Sequence, residues 1–247
     1  MKYRYERKYL VPNAQLDALR NAITSYLRPD VFAKNLKKEY PEYTVRSIYF
    51  DSPSLDALDE KIAGVKTRKK LRVRGYNQFV GDNMVFLEVK RKQGNRITKN
   101  RSLVPFLQLK DILTFGLDPK LEESLQKRNQ LDDAYRFLFL LKKNNQSPVN
   151  LIVYDREAYH GKFNDEVRVT LDKNIRSKIF PSPDDLFDND DLNYVWENHF
   201  ILEVKYFFPP MPGWMKLIIE EFKLEAAALS KYTEGYLCHK IIADIAI

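Results

Sequence analysis

The sequence predicts an α+β fold built around a barrel-like antiparallel sheet, with about eight strands able to close. Two observations carry that expectation: segments of two-residue alternation recur along the chain, and stretches of helical period are inserted between groups of them. The 247 residues, 44% hydrophobic and 30% charged, supply a sizeable core, and residues 1–247 read as a single domain.

Tyr3–Val11 alternates and is rich in aromatic residues, which predicts a strand. Pro12 then opens a helix in which Leu16, Leu19, Ile23 and Leu27 recur at helical spacing. Thr44–Asp51 is a strand ended by the turn residues Asp51-Ser52-Pro53-Ser54, and Leu55–Ile62 is a short helix or a further strand. Arg68–Tyr76 and Met84–Lys92 form a hairpin across a loop containing Gly81, with Arg96–Val104 as a third strand. Pro105–Phe115 and Pro119–Lys143 are expected to be helical and to pack outside the sheet. Asn150–Tyr159 and Asp165–Asp172 return to period two, around a tight turn at His160-Gly161-Lys162. Pro181–Asp191, with two prolines and five aspartates, reads as a solvated loop. Phe200–Phe207 is the last strand, ended by Pro209-Pro210, and Trp214–Phe222 and Ala226–Ile242 are helical.

Several classes drop out. No apolar run approaches the ~20 residues of a spanning helix, and the first residues lack the basic-then-apolar pattern of a secretory signal, so a mature cytoplasmic chain is expected. The single cysteine, Cys238, rules out an internal disulfide and a cysteine zinc site, and His160, His199 and His239 are too scattered for a metal box. No G-x-x-x-x-G-K-[ST] loop occurs.

Charge is concentrated. The chain carries +7, yet residues 66–101 hold 12 Lys/Arg against only Asp82 and Glu88, which leaves the remainder net acidic. Such localisation points to a polyanion site, with phosphate the first suspect. Alternation sharpens the point, because residues two apart share a strand face. Arg68, Lys70, Arg72 and Arg74 point one way; Glu88 and Lys90 stand opposite Val85, Leu87 and Val89; Glu203 and Lys205 stand opposite Leu202 and Val204. Glu6 with Lys8, and Arg168 with Thr170 and Asp172, repeat the division. Taken singly, each strand fits an apolar face on the core and a charged face in water. The recurring Glu-x-Lys order at 6–8, 88–90 and 203–205 fits instead a covered sheet whose charged interior grips a metal-chelated chain of phosphates. A surface for nucleic acid would carry fewer carboxylates, so no nucleic-acid partner is expected.

The segments R-Y-E-R-K-Y-L-V at 4–11, R-S-I-Y-F-D-S at 46–52, K-L-R-V-R-G-Y at 70–76, L-E-V-K-R-K at 87–92, Y-D-R-E-A-Y at 154–159, V-R-V-T-L-D at 167–172, I-L-E-V-K-Y at 201–206 and L-S-K-Y at 229–232 follow one another in a known order. With them the chain resembles the VTC domain, the polyphosphate polymerase module of the vacuolar transporter chaperone family, within the triphosphate tunnel metalloenzymes (CYTH-like superfamily). The resemblance implies an eight-stranded antiparallel β-tunnel, a closed barrel with helices outside. It implies a transferase that passes the γ-phosphoryl of ATP to a growing polyphosphate chain with Mn2+ or Mg2+. By position, Lys8, Arg72, Arg74, Lys90, Arg156, Arg168, Lys205 and Lys231 are the implied catalytic, phosphate-gripping set, and Arg72, Arg74, Lys90, Lys205 and Lys231 hold the ATP phosphates. Glu203 is the implied metal carboxylate, with Glu6 and Glu88 in support. Implied partners are ATP, inorganic phosphate or pyrophosphate, polyphosphate, and a separate membrane protein. Arg4 stands where the wider superfamily's E-x-E-x-K motif has its first Glu, which argues against a simple triphosphatase. A tunnel-type hydrolase of inorganic or organic triphosphates and a non-catalytic polyphosphate-binding regulatory module are the alternatives.

Overall fold

A computed structural model describes residues 5–31, 40–94, 96–163, 166–207 and 209–245. The strand predicted over Tyr3–Val11 is described from Tyr5 onward, so Tyr3 and Arg4 lie outside the described residues, as does Asp165. In chain order the elements are β1 (Tyr5–Pro12), α1 (Leu16–Thr24), β2 (Leu27–Pro29), β3 (Glu42–Asp51), α2 (Asp56–Ile62), β4 (Thr67–Tyr76), β5 (Met84–Gln93), β6 (Arg96–Pro105), α3 (Leu109–Phe115), α4 (Pro119–Lys127), α5 (Leu131–Lys143), β7 (Ser147–Gly161), β8 (Arg168–Ile179), β9 (Asn193–Tyr194), β10 (His199–Tyr206), α6 (Gly213–Glu221) and α7 (Lys231–Ile245).

The expected α+β class is present, with one large sheet in the order β1-β10-β8-β7-β3-β4-β5-β6, β2 on β7 and β9 on β8. The expected closure is not: β1 and β6 are the two ends of this path, and the sheet is not closed into a barrel among the described residues. The edge of β1 is met instead by an isolated bridge, Tyr9 to Ala226, and by the amide of Ala227 donating to the Lys8 carbonyl at 2.9 Å. Ala226 and Ala227, expected to open the last helix, are spent on this contact, and the helix starts at Lys231.

The chain divides into two compact units. The first comprises residues 1–44, 154–176 and 194–230. Within it β1 pairs antiparallel with β10, and β10 with β8. Its core takes Tyr9 and Val11 from β1, Val169 and Leu171 from β8 and Leu202 and Val204 from β10, all on one side of the strands, covered by Leu19 and Ile23 of α1 and Met215 and Ile218 of α6. Each such buried side chain contributes about 1.5–3 kcal/mol.

Residues 45–153, 177–193 and 231–247 form the second unit. Here β3, β4, β5 and β6 pair in succession, all antiparallel. Ile48, Leu71, Val73, Val85, Leu87, Val89 and Val104 face Leu109 and Ile112 of α3, Leu125 of α4 and Phe137 and Leu141 of α5. The single helix expected over Pro119–Lys143 is two, because the chain turns at Asn129, whose φ of 54° is left-handed, a region asparagine tolerates. Leu55–Ile62 resolves as helix: the buried carboxylate of Asp51 accepts the amides of Ala57 at 2.9 Å and Leu58 at 3.0 Å and thereby caps α2. The aspartate-rich stretch is less solvated than expected, since Leu186 is buried, and an alanine Cβ at Gly75 would lie 2.7 Å from Phe187 Cζ. A Leu-Phe pair among the aspartates anchors the loop by its apolar members.

Candidate functional site

In the second unit the strand register places one face of β3–β6 side by side. Arg68, Lys70, Arg72 and Arg74 of β4 lie opposite Lys92, Lys90, Glu88 and Phe86 of β5, which lie opposite Ile97, Lys99, Arg101 and Leu103 of β6. Ser47 and Tyr49 of β3 complete the row beside Arg74 and Arg72. The helices α3–α5 cover the other face, so the cations are left to the face that sheet packing does not use.

Glu88 is fully buried within this row. Arg72 Nε lies 2.6 Å from Glu88 Oε2, and Lys99 Nζ lies 2.7 Å from Oε1. Burial opposes its ionisation, but Arg72, Arg74 and Lys99 outweigh burial and hold the carboxyl well below the usual range. Both of its oxygens are engaged by cations. Burial pulls Lys70 and Lys99 down to about 8. Lys70 Nζ sits 4.5 Å from the centre of the Tyr232 ring, and the Tyr232 hydroxyl donates to Asp51 at 2.5 Å. Arg74 Nε donates to Ser47 Oγ at 3.0 Å. Arg72 Nη1 donates to the Tyr49 hydroxyl at 3.0 Å. Burial disfavours the Tyr49 phenolate, yet Arg72, Arg74 and Lys90 together bring the phenol down to about 7. Lys231 is the first residue of α7, beside Tyr232.

In the first unit the charged face is balanced rather than basic. Glu6 and Lys8 of β1 lie opposite Lys205 and Glu203 of β10, which lie opposite Arg168 and Thr170 of β8. Arg156 of β7 holds Asp172 through two bonds, Nε to Oδ1 at 2.6 Å and Nη2 to Oδ2 at 2.8 Å, and reaches Glu203 Oε2 at 3.4 Å. Burial opposes the Arg156 charge, and Asp172 more than restores it. Lys205 Nζ lies 2.7 Å from Glu203 Oε2 and 4.0 Å from Glu6 Oε2. Burial brings the Lys205 ammonium down to about 7 even so, against the pull of both carboxylates. Lys8 lies 3.3 Å from Glu6 and donates to the Leu229 carbonyl at 3.0 Å. Arg168 pairs at 3.0 Å with the buried Asp30, which also meets His160 at 3.3 Å.

Among the described residues no three His, Cys, Asp or Glu side chains gather as a metal site. Glu203 and Glu6 nevertheless flank one cation, the Lys205 ammonium, and a magnesium-like ion asks for only one or two carboxylates when phosphates and water complete its shell. This donor pair fits such an ion.

The structure therefore groups Arg72, Arg74, Lys90, Glu88 and Lys231 in one unit, and Glu6, Lys8, Arg156, Arg168, Glu203 and Lys205 in the other. Sequence reasoning overlooked Tyr49, Lys99 and Arg101. Alternation along Ser47-Ile48-Tyr49-Phe50 and along Lys99-Asn100-Arg101 carried the signal for all three.

Fold and faces together define an α+β protein whose antiparallel sheet carries ordered rows of cations and carboxylates. The VTC domain model matches residues 3–240, and the chain belongs to that family. A curated relative is the vacuolar transporter chaperone complex subunit 2 of Saccharomyces cerevisiae (strain ATCC 204508 / S288c), 29% identical over 148 residues, which are 53% of this chain and 18% of that protein. The match thus spans under a fifth of the relative's length. Among solved structures, the PH1819 protein of Pyrococcus horikoshii OT3 has a TM-score of 0.45 at 18% identity, covering 96% of this chain and 99% of that one. The Schizosaccharomyces pombe Mediator head module has a TM-score of 0.43 at 12% identity, covering 89% and 90%.

Proposed function

We propose that the protein is an ATP-dependent polyphosphate polymerase, in which the γ-phosphorus of ATP leaves the oxygen it shares with ADP and bonds to a terminal oxygen of a polyphosphate acceptor. The observation that supports it best is the β4–β6 face, where Arg72, Arg74, Lys90 and their neighbours stand around one internal carboxylate that cations already neutralise. Such a face keeps a large net positive charge for a chain of phosphates. Arginine forks grip two phosphate oxygens at once and lysines act as point charges, so the row positions the transferring group and offsets the charge that develops on it. No protein nucleophile is required, because the acceptor oxygen is itself the nucleophile.

Glu203 with Glu6 would hold Mn2+ or Mg2+, which would supply positive charge to offset that of the phosphates. Lys205 orients Glu203, and Arg156 and Lys8 fix the geometry around the pair. Lys231 joins the gripping set of the second unit and Arg168 that of the first. A separate partner fits this reading, since the yeast relative is named as a complex subunit.

Purified protein is incubated with ATP, manganese and a trace of pyrophosphate, with products resolved on a polyphosphate-stained gel and free phosphate assayed in parallel. A ladder of chains with ADP supports the polymerase. Free phosphate without chains replaces it with a triphosphatase, and polyphosphate binding with neither product replaces it with a regulatory module. Glu203→Gln and Lys205→Ala are expected to abolish turnover while the melting transition remains cooperative; full activity in both overturns the site assignment.

A further inference from the structure

Tyr49 stands on β3, at one side of the β3–β6 face beside Arg72, half-buried, with its ring 5.3 Å from that of Tyr232. Its oxygen accepts from Arg72 Nη1 at 3.0 Å, so one lone pair is used and its own proton is directed elsewhere. Among the described residues that proton meets no acceptor. The carboxylates of the same face are committed, Asp51 to the amides of α2 and the Tyr232 hydroxyl, Glu88 to Arg72 and Lys99. The groups around the phenol are the cations Arg72, Arg74, Lys70 and Lys90. An O–H donor held among cations, without an acceptor of its own, is arranged to meet an anion that those cations bring in.

We propose that the Tyr49 hydroxyl donates a hydrogen bond to a phosphate oxygen of the bound chain and is a ligand-recognising residue of this face. The inference rests on the reading of the face as a phosphate-chain site and adds to it a neutral donor. Arg72 has a double task in this arrangement: it fixes the phenol oxygen by one nitrogen and leaves the O–H vector to the ligand. The cations that bring the phenol down toward neutrality make the donor pH-sensitive, because the phenolate has no proton to give and repels the anion.

The test is calorimetric titration of metal-free protein with tripolyphosphate, wild type against Tyr49→Phe, at pH 6 and pH 8.5. The phenylalanine keeps the ring against Tyr232 and removes only the hydroxyl. A hydrogen bond to a charged group sets the expectation of roughly tenfold weaker binding by the variant at pH 6. At pH 8.5 the gap is expected to close or reverse, since the wild type has then lost its donor and carries a phenolate that repels the anion. Equal affinities at pH 6, or a tenfold gap that persists unchanged at pH 8.5, overturn the proposal while leaving the phosphate-chain reading intact. Failure of the wild type to bind tripolyphosphate at either pH overturns that reading itself, and the Tyr49 proposal with it.

Discussion

Arg156 and Glu157 are neighbours in β7 with opposite duties. Arg156 belongs to the charged face, whereas Glu157, fully buried on the other side, is held by Arg20 at 2.8 Å and 2.9 Å, by Lys173 at 2.6 Å and by the Tyr159 hydroxyl at 2.8 Å. Burial opposes its charge, but Arg20 and Lys173 more than compensate and depress the carboxyl below its ordinary value. The sign follows: stability from Glu157 is complete above the unfolded-state value near 4.5 and is lost as pH falls through the depressed one. Glu157→Gln removes the buried counter-charge shared by Arg20 and the half-buried Lys173 and leaves each only its more exposed partner, Asp17 and Glu42, so urea denaturation at pH 7 is expected to show a loss of about 3 kcal/mol. Tripolyphosphate affinity should not change, and an affinity loss as large as that of Arg72→Ala would place Glu157 in the site after all. Which side of its strand a charge takes was legible from alternation for Arg72, Lys90 and Lys205, which the register sets on the charged rows, whereas Arg156 was indicated only by the resemblance. That Glu88 is buried between Arg72 and Lys99 was not, because these partners stand on neighbouring strands, and register across strands is not written in any one of them.

The terminal helix shows what an element adds. Gly235 of α7 lies against the sheet so closely that an alanine Cβ would meet Ile152 Cδ1, with Asn150 Nδ2 at 3.0 Å and Ser177 Cβ at 3.2 Å. Two buried side chains then fasten the helix by its carbonyls, Asn150 to Tyr232 at 3.1 Å and Ser177 to Gly235 at 2.9 Å. This seat fixes Tyr232, and with it the ring beside Lys70 and Tyr49. Gly235→Ala gains helix propensity worth about 1 kcal/mol but overpacks the contact by about 1–3 kcal/mol. A net loss of stability of about 1 kcal/mol is expected, with weaker tripolyphosphate binding because Lys231 and Tyr232 move with the helix. Unchanged stability and unchanged binding together would show that α7 is not seated by this glycine. Helical period announced α7 and strand period announced the hairpins, since both are local properties of side-chain spacing. The start of α7 was misplaced because Ala226 and Ala227, good helix formers by propensity, are captured by the edge of β1. Tertiary hydrogen bonding there overrides a weak local preference.

At the scale of the molecule, charge is partitioned between the two units. The β4–β6 face of the second unit sets a row of arginines and lysines against the single buried Glu88, while the face of the first sets Lys8, Arg156, Arg168 and Lys205 against Glu6, Asp172 and Glu203. The sequence foreshadowed half of this, since residues 66–101 advertise their excess cations, but the balance of the other face depends on segments more than 150 residues apart in the chain, such as Glu6 and Lys205. An open run of strands from β1 to β6 was likewise beyond local pattern, because closure is decided by whether the two edge strands find each other. The partition has a measurable consequence. A basic face attracts a polyanion without help, whereas a face with as many acids as this one gains attraction only when a divalent ion converts its carboxylates into a cationic centre. Wild-type protein in EDTA is therefore expected to bind tripolyphosphate, and to bind it more tightly with Mg2+ or Mn2+. Arg72→Ala should weaken binding about tenfold in both conditions, as the loss of a charge-assisted phosphate contact does. Glu203→Gln should leave binding in EDTA unchanged or slightly stronger and abolish only the gain from metal. If Glu203→Gln retains the full gain from metal, the carboxylates of β1 and β10 do not hold the ion; if Arg72→Ala binds as the wild type does in EDTA, the β4–β6 row is not the face that receives the phosphates.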